Sequence, residues 1–116
     1  MAKGLTDSKD TVPYTFKQFI EKFPELSHAH EQIAKAVDES GPLDGKTRYL
    51  IKMGICIGAG LESAFVSHVR RAMQNGASAQ EIEQAILLAM NTAGFPRTVM
   101  AWQWAWEQIE RDRVGH

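Results

Sequence analysis

The chain holds one cysteine, Cys56, in 116 residues. A single thiol excludes an internal disulfide framework and a four-cysteine metal site. Lys and Arg form no extended run, and the formal net charge of −1 leaves no electrostatic footprint for nucleic acid or an anionic membrane. Apolar stretches stop well short of the roughly 20 residues needed to cross a bilayer. The opening residues, Met1 to Asp10, contain no apolar core of the signal-peptide kind, so a cytoplasmic protein is expected. No segment alternates apolar and polar residues over a useful length, so strands are not expected. The glycines at 54, 58 and 60 are not followed by Lys-Ser/Thr, which removes a phosphate-cradling loop.

What remains is helical. Apolar residues make up 44% and charged residues 23%, as in an ordinary globular domain. Residues 1–12 are polar and expected to be frayed; 13–113 are expected to form one domain. Phe16, Phe19, Ile20 and Phe23 recur at helical spacing after Pro13, with Thr15 as cap. Pro24 suits the first turn of a second helix with an apolar stripe of Leu26, His30, Ile33 and Val37. Asp44 can cap a third, which runs to Gly58-Ala59-Gly60. A fourth spans Leu61 to Asn75-Gly76. Ser78-Ala-Gln-Glu81 is a capping box for a fifth, expected to continue through Met90. Pro96 opens a sixth, on which Val99, Trp102, Trp106 and Ile109 share one side. The expected fold is all-α, about six helices joined by short turns.

Leu87 and Leu88 lie off the main stripe of the fifth helix, and Trp104 lies far round from Trp102 and Trp106. A helix apolar on more than one side is buried on more than one side, so a homo-oligomer is expected.

His68 stands at the middle of the apolar sector formed by Leu61, Ala64, Phe65, Val69 and Ala72, with Glu62 at its edge. A neutral imidazole donates from one nitrogen and accepts at the other, which suits proton transfer near pH 7. A hydrogen-bonded core histidine explains the same position. A metal site of His30, His68 and Glu62 is conceivable, but no His-x-x-x-His or Glu-x-x-His spacing supports it, and no metal is expected. Arg48, Arg70, Arg71 and Arg97 each carry a guanidinium able to pair with a carboxylate; Arg97 follows the Gly94-Phe95-Pro96 break, where it can border a pocket.

The ordered set Lys46-Thr-Arg48-x-Leu50-Ile51, Glu62 with His68-x-Arg70-x-Ala72 and Gly76, then Glu81-Ile82 and Gly94-Phe95-Pro96 resembles the carboxymuconolactone decarboxylase family. That family includes the alkylhydroperoxidase D-like proteins, and the resemblance spans roughly residues 43 to 108. It implies an all-helical alkylhydroperoxidase D-like fold assembled as dimers, trimers or hexamers. In the hydroperoxidase branch a Cys-x-x-Cys pair precedes the histidine; its positions map to Leu61 and Ala64, and the relay glutamate to Tyr49. Only the histidine survives, as His68. Thiol peroxidase chemistry needs an attacking thiolate and a resolving thiol, so a disulfide-cycling peroxidase is not expected.

The decarboxylase branch needs neither cysteine nor cofactor. The resemblance makes His68 the group that governs proton transfer on a small carboxylated or lactone substrate, in decarboxylation (a carbon–carbon lyase) or an isomerase-like step. Glu62 or Tyr49 would assist it, and Arg97 or Arg48 would hold the substrate carboxylate. A non-catalytic oligomeric binding or scaffold protein that kept the fold is the alternative.

Overall fold

The computed structural model describes residues 14–114. They form six helices: α1 (Tyr14–Lys22), α2 (Pro24–Asp38), α3 (Gly45–Ala59), α4 (Glu62–Gln74), α5 (Ala79–Leu87) and α6 (Phe95–Val114). Among the described residues there is no strand, and no helix is long and apolar enough to cross a membrane. The expected frayed segment, 1–12, lies outside the described residues. The chain divides into two compact units, Met1–Pro42 and Leu43–His116.

In the first unit α1 and α2 pair, with the Phe19 and Phe23 rings 5.0 Å apart at the joint. Pro24 is the first residue of α2, where its missing N–H costs nothing. Thr15 is the second residue of α1 rather than its cap. Neither helix buries a residue, and Phe16, Leu26, Ile33 and Val37 are exposed although their spacing is regular.

The second unit holds the core, formed by Met53, Ile57, Phe65, Val69, Ile82 and Ile86 with small partners on α6. Asp44 caps α3, its carboxylate accepting the Thr47 N–H at 2.9 Å, and this bond holds its carboxyl below the ordinary value of 3.8. Gly60 ends α3 at φ +73°, and the Leu61 N–H reaches back to the Cys56 carbonyl at 2.9 Å. That pattern reverses the chain within two residues and makes α3 and α4 a tight helical hairpin.

The capping box on α5 is complete: Ser78 Oγ accepts the Glu81 N–H at 3.1 Å and Glu81 Oε1 accepts the Ser78 N–H at 2.9 Å. Glu81 Oε2 also pairs with Lys46 at 2.9 Å, tying α5 to α3. The helix stops at Leu87, one turn short of the expectation, because residues 88–93 tighten into turns ahead of Gly94.

Of Val99, Trp102, Trp106 and Ile109, read as sharing one side of α6, only Ile109 is buried; Thr98, Ala101, Ala105, Gln108 and Ile109 face the core. Alanines let α6 approach closely, and Thr98 satisfies its hydroxyl on the Gly94 carbonyl at 2.8 Å. Trp102 and Trp106 lie at the flank, both indole N–H groups donating to Glu83 Oε2 at 3.1 and 3.2 Å. Trp104 packs against Phe65 of α4, with centroids 5.9 Å apart.

Candidate functional site

His68 sits on α4 beside three fully buried neighbours, Phe65, Val69 and Ala72, but is itself only half-buried. The inward sector is narrower than the expected one: Leu61 at its start is exposed, and His68 lies on its border. The Nδ1 atom is buried and has no hydrogen-bond partner. An unsatisfied buried nitrogen is costly, which sets this ring apart from a hydrogen-bonded core histidine.

The Tyr49 ring of α3 lies against the imidazole, with centroids 5.8 Å apart and planes at 33°. One turn further along α3, the Lys52 ammonium stands 5.4 Å from the centre of the Tyr49 ring. The hairpin explains this grouping. Lys52 and His68 are each eight residues from Gly60, and Tyr49 and Arg71 each eleven, so each pair shares a height in the antiparallel hairpin. Tyr49-x-x-Lys52 thus faces His68-x-x-Arg71, and residues three apart share a helix face. Burial holds the His68 pKa below its ordinary 6.5, and the positive charges of Lys52 and Arg71 push it the same way. The imidazole is neutral near pH 7, the form of a proton acceptor.

The remaining sequence candidates stand elsewhere. Glu62 is exposed in the first turn of α4, roughly 120° round the helix and about 9 Å along it from His68. Arg97 caps the end of α3: its Nη1 donates to the Ile57 and Gly58 carbonyls at 3.1 and 2.8 Å. Arg48 Nη1 donates to the Leu43 carbonyl ahead of the same helix. The structure therefore joins Tyr49 to His68 and employs both expected carboxylate-binding arginines on backbone carbonyls. His30 is exposed on α2. Among the described residues no three His, Cys, Asp or Glu side chains are grouped to hold a metal ion.

The placement of Lys52 beside the Tyr49 ring was not anticipated from the sequence. Its i,i+3 spacing to Tyr49 was visible, but nothing in one sequence says which faces of two helices meet. Cys56 is buried and burial raises its pKa, which keeps the thiol protonated and poorly nucleophilic.

A groove of about 480 Å³ runs between α3 and α5, lined by Thr47, Ile51, Gly54, Gly58, Ala85 and Leu88 among others. At about 100° per residue, its α3 positions lie on the opposite side of that helix from Tyr49, Lys52 and Cys56. His68 does not line it. A methyl group at Gly54 or Gly58 would meet nothing within 4 Å, so packing within the chain does not call for either glycine.

Residues 24–107 match the family described as carboxymuconolactone decarboxylase, well over half of the chain. The chain belongs to the carboxymuconolactone decarboxylase family. Among solved structures, it is similar to apo-lpg0406, a carboxymuconolactone decarboxylase family protein from Legionella pneumophila. The two share 20% identity and superpose with a TM-score of 0.77, over 96% of this chain and 99% of that one. At that identity the likeness establishes the all-α, alkylhydroperoxidase D-like fold alone. A comparison with curated proteins found no match. Within this carboxymuconolactone decarboxylase family member, the Tyr49–His68 contact joins two positions that family resemblance brought to notice.

Proposed function

We propose that this family member, lacking the Cys-x-x-Cys pair, performs cofactor-independent proton transfer on a small carboxylated or lactone substrate. His68 is the transferring group and Tyr49 its neighbour. The observation that carries this reading is a neutral, half-buried imidazole held against a phenol in a cationic setting. In an isomerase-like step the imidazole takes a proton from a carbon next to a carbonyl and returns it elsewhere on the same conjugated system. In decarboxylation the bond to the leaving carboxylate breaks, carbon dioxide departs, and its electron pair passes into a dienolate. An imidazolium at position 68 then protonates that dienolate. Glu62, distant from His68 within its own helix, has no part in this scheme.

The test is a screen of lactone acids against the wild type and His68→Gln. Turnover that the variant loses supports the reading; turnover that the variant keeps ends it.

A second reading, a non-catalytic oligomeric binding or scaffold protein, is favoured by the groove on the far side of α3. Ligand capture that responds to substitutions at Gly54 or Leu88 and ignores His68 supports it. In either case the chain is proposed to work as a homo-oligomer, a dimer, trimer or hexamer. Exposed Ile51, Ile55, Leu87 and Leu88 support this, and light scattering on the purified protein tests it.

A further inference from the structure

We propose that the α3–α5 face binds a second copy of this chain, with the two α3 helices antiparallel across a two-fold axis beside residues 54 and 55. The inference rests on the homo-oligomer reading above and is independent of the role of His68. It adds to that reading the face, the symmetry and the residues that pair.

The surface is the far side of α3. At about 100° per residue, Thr47, Ile51, Gly54, Ile55 and Gly58 fall in one sector of about 100°, opposite Met53 and Cys56. Met53, Cys56 and Ile57 are buried, whereas Ile51 and Ile55 are 48% and 63% exposed. The groove of about 480 Å³ follows this sector on its α5 side, where Leu88, 69% exposed, stands on the other wall. The helix is thus apolar on two sides, and its own chain covers one of them.

Large and small positions on this sector are self-complementary. A two-fold axis at the midpoint of residues 54 and 55 exchanges positions 51 and 58, each about 5 Å from it along the helix. Ile51 then faces Gly58 of the partner subunit, and Gly58 faces Ile51 of the partner subunit. One knob and one notch are used twice, as an isologous contact requires. Beside the axis, Ile55 meets Ile55 of the partner subunit. A Cβ added at Gly54 or Gly58 would meet nothing within 4 Å in the chain itself, so both notches are open to an outside residue. Missing side chains there let a second backbone approach closely.

Charge and area agree with this occupant. A charge close to a two-fold axis meets its own copy, and none of the five sector positions is charged. Arg48, the nearest charge on α3 in angle, lies about 10 Å along the helix from the axis. The two copies of that position stand about 20 Å apart, beyond a Debye length of about 8–10 Å. Glu81, which lines the groove, is paired with Lys46 at 2.9 Å, and Glu83 accepts both flanking indole N–H groups. Helices about 10 Å across, 15 and 9 residues long, present roughly 350 Å² in projection, and more once side-chain relief is counted. The smaller specific interfaces take up to about 600 Å² from each partner. The contact is therefore expected to dissociate on dilution and to be populated at about 100 μM.

Sedimentation velocity on the full chain, from about 1 to 100 μM, reads the association. Gly58→Ile fills the notch and is expected to weaken it about tenfold or more. Combining Ile51→Ala with Gly58→Ile exchanges knob and notch, and should return the affinity to within about threefold of wild type. Ile55→Cys is expected to form a disulfide-linked dimer under mild oxidation, because the axis brings the two thiols together. The wild type, whose Cys56 is buried, and Gln103→Cys, exposed on α6, should remain single chains. The cross-link does not depend on how the Gly58 variants fold.

Association that Gly58→Ile leaves unchanged, or no cross-link at position 55, overturns the proposal. Association lost in Ile33→Lys and kept in Gly58→Ile places the contact on α2, which retains the homo-oligomer reading without this interface. A chain that is monomeric at about 100 μM ends both readings and leaves the groove to a small ligand.

Discussion

The two sides of α3 serve different ends. The side toward α4 is filled: Met53, Cys56 and Ile57 are buried, and Tyr49 and Lys52 complete the group around His68. The side toward the α5 groove is left open by Gly54 and Gly58, at which an added methyl would touch nothing. A glycine inside a helix costs roughly 0.5–1 kcal/mol relative to alanine. On one side the helix spends its residues on packing and titratable chemistry, and on the other it accepts a cost that the chain's own packing does not recover. A helix with one occupied and one vacant face has two candidate uses, and substitutions can separate them.

The largest expected effect is on catalysis. His68→Gln should lower turnover by about a hundredfold or more, the usual contribution of a positioned acid or base. Gly54→Leu, which fills the vacant side, should leave it within about twofold, because His68 does not line that groove. A larger loss from Gly54→Leu than from His68→Gln would move the chemistry into the groove. Steady-state kinetics on any substrate found in the screen decides the matter.

Next comes the joint that sets both faces. Gly60→Ala places a Cβ in left-handed backbone, 3.2 Å from Arg97 Nη1. Its expected cost is about 2 kcal/mol in urea unfolding, with the His68–Tyr49 register disturbed as well. Arg97→Met removes the donor that holds the last carbonyls of α3 and should cost about 1 kcal/mol without touching the His68 titration. A change in that titration would tie the two sides of the helix together.

Gly58→Ala sharpens the comparison from the other direction. In the isolated chain it should raise stability by about 0.5–1 kcal/mol, read as a higher urea midpoint. If a second copy occupies the vacant face, the same variant should weaken the assembly while strengthening the fold. Gel filtration beside the unfolding curve separates the two.

The smallest effect is a slope against pH. The unfolded chain protonates His68 from about pH 6.5 downward, whereas the folded chain takes that proton only at lower pH. Stability should therefore fall as pH drops below 6.5 and level off beneath the folded midpoint. His68→Gln should remove that part of the slope. A wild type and variant with parallel curves would show that the ring is not disfavoured in its charged form.

Helix ends were legible in the sequence because local chemistry dictates them. Asp44, Gly60 and the Ser78–Glu81 pair all act where their residue types place them. Faces were harder. On α6 the tryptophans drew attention by size, yet the core took Ala101 and Ala105, since close helix approach needs small residues. The stripe on α2 was read from its period, but period alone does not say that a surface is covered. His68 and Tyr49 were legible as candidates, whereas Lys52 needed the hairpin register. Arg97 was read as a ligand for a substrate carboxylate and proved to be a helix cap, because backbone carbonyls compete for the same guanidinium.

The three tryptophans divide into two optical reporters. Trp102 and Trp106 share the Glu83 carboxylate along the α5–α6 seam, while Trp104 rests on Phe65 along the α4–α6 seam. Intrinsic emission from a chain keeping only Trp104 follows the helix that bears His68, and emission from the other two follows the groove wall. Each half of the second unit can thus be watched separately, without an added dye.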